Sequence, residues 1–124
     1  MESKVAKEWM EELSRTANAK DLEAHMALIS KQVEVFGFPG IEVIQYADWA
    51  AQCKHEFEQG ILKNYRYDVV NVLMMMPGKV AFETRETVEA TDGTVNIMNV
   101  EIVLVREEDE KWRVVQERVS FPEF

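Results

Sequence analysis

The sequence predicts an α+β fold, with three helices packed on one face of a curved, mostly antiparallel sheet. Helical spacing of apolar residues is confined to the first half of the chain. From Lys63 onward the pattern alternates with period two. The turn dipeptides Pro77-Gly78 and Asp92-Gly93 divide that second half into long strands. Helices followed by a meander imply helices layered on a sheet. At 124 residues the chain is read as a single domain, 1–124.

In the first helix Val5, Trp9, Leu13 and Ala17 form one apolar face, with Met10 beside them. Asn18-Ala19-Lys20-Asp21 breaks it and supplies a new N-cap. Leu22, Met26 and Ile29 give the face of a short second helix, which also carries His25. Val33–Phe38 is a short strand, Pro39-Gly40 a turn, and Ile41–Ile44 a second short strand. The third helix covers Ala47–Gln59, presents Trp49, Ala50, Cys53 and Phe57, and stops at Gly60. His55 falls opposite that stripe. Strands at 63–76, 79–91, 94–106 and 111–121 complete the sheet.

The turns fix a register. A two-residue loop at Asp92-Gly93 pairs Thr91 with Thr94 and puts Glu86 opposite Asn99. A Pro77-Gly78 loop puts Asn71 opposite Thr84. Matching Val105 to Trp112 puts Glu101 beside Gln116 and Asn99 beside Arg118. One sheet face then carries two polar rows, Asn71–Thr84–Glu101–Gln116 and Val69–Glu86–Asn99–Arg118. The other carries Val100, Ile102 and Leu104. If the helices cover the first face, the polar rows line a pocket. The second, apolar face then becomes a homodimer interface.

Glu101 and Arg118 are the candidate catalytic pair, because coupled carboxylates near one Arg can have a raised pKa. Arg118 alone would suit a carboxylate or phosphate on a ligand. A solvated row of ion pairs is the competing reading. Trp9, Trp49 and Tyr67 are an aromatic wall or simply core. With His25, Asn71, Thr84, Glu86, Asn99 and Gln116 they make up the candidate ligand-binding set. Cys53 is read as a small buried hydrophobe, and the two histidines and one cysteine show no metal-ligand spacing. The residues call for neither metal nor cofactor.

A net charge of −9 argues against nucleic-acid and anionic-membrane partners. Val72–Pro77, the longest apolar run, is too short to span a bilayer. The lone cysteine and the polar N-terminus suggest a cytoplasmic protein.

Two segments carry a resemblance. N-A-K-D-L-E at 18–23 resembles the N-x-G-D-L that follows the first helix in the NTF2-like superfamily. W-R-V-V-Q-E-R-V-S at 112–120 resembles the terminal strand of many of its small bacterial members. That superfamily includes SnoaL-like cyclases, ketosteroid isomerase and a kinase association domain. The resemblance implies a cone-shaped sheet wrapped by helices around a pocket, commonly dimeric. Carried across, the isomerase's general base falls on Gly37, its helix-one tyrosine on Leu13, and its protonated acid near Glu101. Isomerisation by that mechanism is therefore not expected. Two functional classes stay open. One is a pocket protein that binds or transforms a small, partly apolar molecule with a carbonyl or acidic group, by isomerase-, dehydratase- or cyclase-type chemistry. The other is a non-catalytic association module with a vestigial pocket.

Overall fold

The computed structural model describes residues 2–122. The order is α1 (Lys4–Ala19), α2 (Leu22–Met26), β1 (Ile29–Phe36), β2 (Ile44–Gln45), α3 (Tyr46–Glu58), β3 (Leu62–Met76), β4 (Lys79–Ala90), β5 (Val95–Arg106) and β6 (Trp112–Ser120). The six strands form one curved, open sheet in the order β2-β1-β6-β5-β4-β3. All neighbours are antiparallel except β1 and β6. α1 packs on β3 and β4, and α3 on β1 and β2.

Caps explain the helix bounds. Ser3 accepts the Ala6 N–H at 3.1 Å, and Lys20 closes α1 in the left-handed conformation. Asp21 accepts the Ala24 N–H and starts α2. Gln45 and Asp48 form a reciprocal capping box on α3. Ile29 leaves the helix for β1, contrary to the periodicity, because parallel pairing opposite Val114 claims it. The strand expected at Ile41–Ile44 shrinks to Ile44–Gln45.

The core lies between the helices and one sheet face. Trp9, Met10, Phe82, Ile102, Leu104 and Val114 are its centre. Val100, Ile102 and Leu104 are at most 1% exposed within a single chain, so they are core and not a dimer face.

That correction follows from the β4–β5 turn. Ala90 and Thr94 close a three-residue loop: the Ala90 N–H donates to Thr94 O at 2.8 Å, and the Gly93 N–H to Ala90 O at 3.0 Å. Gly93 has φ 93°, the left-handed residue such a loop needs. Thr91 is drawn off, its N–H bonding the Ile61 carbonyl. Thr84 therefore pairs with Val100, and Glu83 with Glu101. A one-residue slip exchanges the faces of β5.

Bulges finish the arrangement. On β6 one at Val115 shifts the pairing from Leu104↔Val114 to Val103↔Gln116. On β3 the expected Met76↔Lys79 turn forms, but bulges at Leu73, Val69 and Lys63 shift the rest, so Asn71 meets Glu83.

Candidate functional site in the sheet interior

Three ionisable side chains from three strands are buried on the helix-covered face: Tyr65, Glu86 and Glu117, each at most 8% exposed. The β3 bulge at Val69 changes the parity of that strand, so that Tyr65 and Val72 both point inward. The β6 bulge at Val115 does the same for Glu117, turning Gln116 and Arg118 outward. Glu117 is held between Ile102 of β5 and Val35 of β1. Glu86 sits between Tyr67 and Met98.

Burial is the dominant electrostatic fact. It pushes the Glu86 carboxyl up to about 7, although the Tyr65 hydroxyl draws it partly back. It pushes Glu117 well above the carboxylate range, and the charge of Glu86 adds to this. Tyr65 is raised in turn by burial and then by Glu86 and Glu117. Its hydroxyl lies beside the Glu86 carboxyl, yet it is the buried side-chain oxygen that makes no hydrogen bond of good geometry among the described residues. Among the described residues no cation offsets these acids: every Lys and Arg except Arg113 is exposed. Arg113 is occupied by Glu107, Asp109 and the Ala27 carbonyl. The site thus presents the Tyr65 and Glu117 O–H groups, which burial holds protonated, beside a Glu86 carboxyl that exchanges its proton near neutrality.

Of the residues expected to line a pocket, six lie on this covered side, with differing roles. Glu86 belongs to the cluster. Tyr67 is half-buried, its pKa raised by burial and by Glu11 of α1. Thr84 is buried, but its hydroxyl donates to the Asp68 carbonyl at 3.2 Å, which the β3 bulge leaves free. Trp9 is core, its Nε1 donating to Leu28 O at 3.2 Å. Trp49 is half-buried against the core. His25 is buried, with Nδ1 2.8 Å from Thr16 Oγ1 and its ring edge-on to Phe57. Burial lowers its pKa to about 4, so it stays neutral.

The other five lie on the open face. Glu101 and Arg118 are cross-strand neighbours, but both are exposed there. With Asn99 and Glu83 they border a shallow groove of about 260 Å³, not the helix-covered interior. Arg118 lies over the Phe36 ring at 5.2 Å. Asn71 donates to Glu83 at 2.7 Å, and Gln116 opposes Val103. The register slip accounts for Asn99 and Glu101, the β6 bulge for Gln116 and Arg118, and the β3 bulge at Leu73 for Asn71.

Glu117 and Tyr65 were missed. A signal for Glu117 exists: Val114 and Val119 are both apolar at an odd spacing, which needs a bulge if both face the core. Cys53 is buried, and burial raises its thiol to about 12, so it is inert. Among the described residues no group of three His, Cys, Asp or Glu is placed to hold a metal. Among the described residues no helix is long and apolar enough to cross a membrane.

The family model for the SnoaL-like domain matches residues 6–123, and the chain belongs to that family, within the NTF2-like superfamily. No curated protein matches it. Solved structures share the fold. An NTF2-like protein of unknown function in nutrient uptake from Rhodospirillum rubrum has TM-score 0.77 and 13% identity, over 94% of this chain and 98% of that one. A ketosteroid isomerase-like protein from Erwinia carotovora atroseptica has TM-score 0.72 and 15% identity, over 97% and 95%. ActVI-ORFA from Streptomyces coelicolor has TM-score 0.72 and 14% identity, over 93% and 92%. At such identities the likeness speaks for the fold alone.

Proposed function

We propose that this chain is a pocket protein. It binds or transforms a small, partly apolar molecule whose carbonyl oxygen meets Tyr65, Glu86 and Glu117 on the helix-covered face. The observation that carries this reading is the buried, unpartnered Tyr65 hydroxyl beside two buried carboxyls. An unpaired buried donor costs about 1–3 kcal/mol, a cost that a bound acceptor removes. A carboxyl near pKa 7 can also take or give a proton at neutral pH, as isomerase, dehydratase or cyclase chemistry requires. The acidic-ligand alternative loses its support, since Arg118 lies on the other face.

The ketosteroid isomerase arrangement is not part of this reading. A side chain at Gly37, where the base would fall, would overlap the Val119 carbonyl. Leu13 is packed in the core. The test is a screen of small ketones and enones by ligand-observed NMR, repeated on Tyr65→Phe. Binding that weakens about tenfold on losing the hydroxyl supports the reading. Binding indifferent to Tyr65 removes it.

A second reading has its own observation. Trp9, Met10 and Phe82 are buried and fill the apolar end of the interior, as a vestigial pocket would have it. We propose that the open face serves homodimerisation, with half-buried Val103 and Val105 among Glu83, Glu101 and Arg118. Glu83 and Glu101 face each other across β4 and β5, with Arg118 of the same chain opposite Glu101, so the face carries both signs of charge for a two-fold-related copy to pair with. A single cysteine fits a cytoplasmic setting for either role.

A further inference from the structure

We propose that a second site, outside the sheet interior, binds small zwitterions of the α-amino-acid type. It is a cleft of about 530 Å³ bordered by α2, the start of β1, the start of α3 and the β5–β6 turn. Small-molecule sites commonly measure ~300–1,000 Å³. An irregularity in β1 makes the room. That strand advances five residues from Ile29 to Glu34 while β6 advances two, from Val114 to Gln116. The excess chain, Ser30–Gln32, lines the cleft instead of pairing with β6. Interruptions of this kind recur beside functional sites.

The polar part of the cleft is held in place and only partly satisfied. Ser30 is fully buried; its hydroxyl donates to Glu107 Oε2 at 2.8 Å and accepts the Gln32 N–H at 3.1 Å. Arg113 donates from Nε to the Ala27 carbonyl and from Nη1 to Glu107 Oε1 and Asp109 Oδ1. It donates from Nη2 to Asp109 Oδ2, which leaves the second N–H of Nη2 over. Each Glu107 oxygen likewise keeps a lone pair. A donor and an acceptor thus stand together, their charges mutually neutralised. Two further lining residues, Lys31 and Glu23, join no ion pair among the described residues.

This balance of charge selects the ligand class. A simple anion would gain Lys31 and Arg113 but meet Glu23 and Glu107. A simple cation would meet the reverse. A zwitterion uses both halves: its carboxylate takes Lys31 and the spare Arg113 N–H, and its ammonium takes Glu23 and Glu107. The Tyr46 ring, also in the lining, is a further partner for the ammonium. Met26 and Ile29 are buried beneath the cleft and offer apolar surface to an aliphatic side chain.

Three probes of one shape test the proposal: L-leucine, 4-methylpentanoate, which lacks the ammonium, and 3-methylbutan-1-amine, which lacks the carboxylate. Each is titrated into uniformly labelled protein and followed by amide chemical shifts. Leucine should bind with a Kd of roughly 1 mM and shift Ser30, Lys31, Gln32 and Tyr46, leaving Tyr65 and Glu117 unmoved. Each half-ligand should bind at least about tenfold more weakly. Lys31→Met and Glu23→Gln alter exposed side chains, so the fold should survive, and each should weaken leucine binding at least about fivefold. The proposal is overturned if leucine at about 50 mM leaves those amides unmoved. It is equally overturned if either half-ligand binds as well as leucine, or if both variants keep the native affinity.

Discussion

Asn18 and Tyr65 exchange two hydrogen bonds. Asn18 Nδ2 donates to the Tyr65 carbonyl at 2.8 Å, and the Tyr65 N–H donates to Asn18 Oδ1 at 2.7 Å. The side-chain amide stands where a neighbouring strand would stand, on the free edge of β3. It clips the end of α1 to the sheet at the residue whose hydroxyl enters the site. Asn18→Ala should cost about 2 kcal/mol, since the Tyr65 N–H loses its partner and the Tyr65 carbonyl keeps only the Ser14 hydroxyl at 3.4 Å. Urea denaturation measures this. A loss under about 0.5 kcal/mol would mean that water replaces the amide freely.

Glu86 should set a slope of stability against pH. Its folded pKa of about 7 lies above its ordinary value of 4.5. The native state then binds more protons than the unfolded chain between those limits. Stability attributable to this group is therefore lost as pH rises from 4.5 to 7, and is constant above that range. Glu86→Gln should gain on the native protein across this window by roughly 3 kcal/mol in all. His25 tilts the other way, because its neutral form is the buried one and its pKa falls from 6.5 to about 4. Comparing Glu86→Gln with the native protein at each pH cancels that contribution. A parallel pair of curves would refute the assignment.

Much of the fold was legible, and the failures have definite causes. Caps and helical faces placed α1, α2 and α3, and Pro77-Gly78 gave the β3–β4 turn. Asp92-Gly93 misled because Asp92 Oδ1 accepts the Thr94 N–H at 2.9 Å and Thr91 bonds outside the hairpin. Those contacts favour three loop residues over two. The strand itself argued for the observed face: Met98, Val100, Ile102 and Leu104 run unbroken, whereas the alternate set includes Asn99 and Glu101. Bulges are hard to foresee where no glycine marks them. Val69 takes φ 59° with a β-branched side chain, which local preference opposes.

That conformation gives a third expectation. Val69 is 52% exposed and buries little to compensate. Val69→Asn should stabilise by about 1 kcal/mol, because Asn tolerates the left-handed region. Thermal denaturation checks it. A lower midpoint would show that Val69 packs usefully, for instance against a second copy.

The two faces of β5 should respond oppositely to charge. Ile102→Glu places a carboxylate at a fully buried position and should abolish cooperative unfolding. Val103→Glu, on the open face, should leave the monomer folded and dissociate any dimer formed there. Sedimentation and circular dichroism separate the two effects. A folded Ile102→Glu monomer would contradict the register.

The account stands or falls on which side of the sheet meets a ligand. Chemical-shift mapping with 4-phenylbutan-2-one on uniformly labelled protein answers this directly. The account predicts shifts at Tyr65, Glu86, Met98 and Glu117, with Glu101, Val103 and Arg118 unmoved. Shifts confined to Glu101, Val103 and Arg118 would put the ligand on the open face and contradict the interior site.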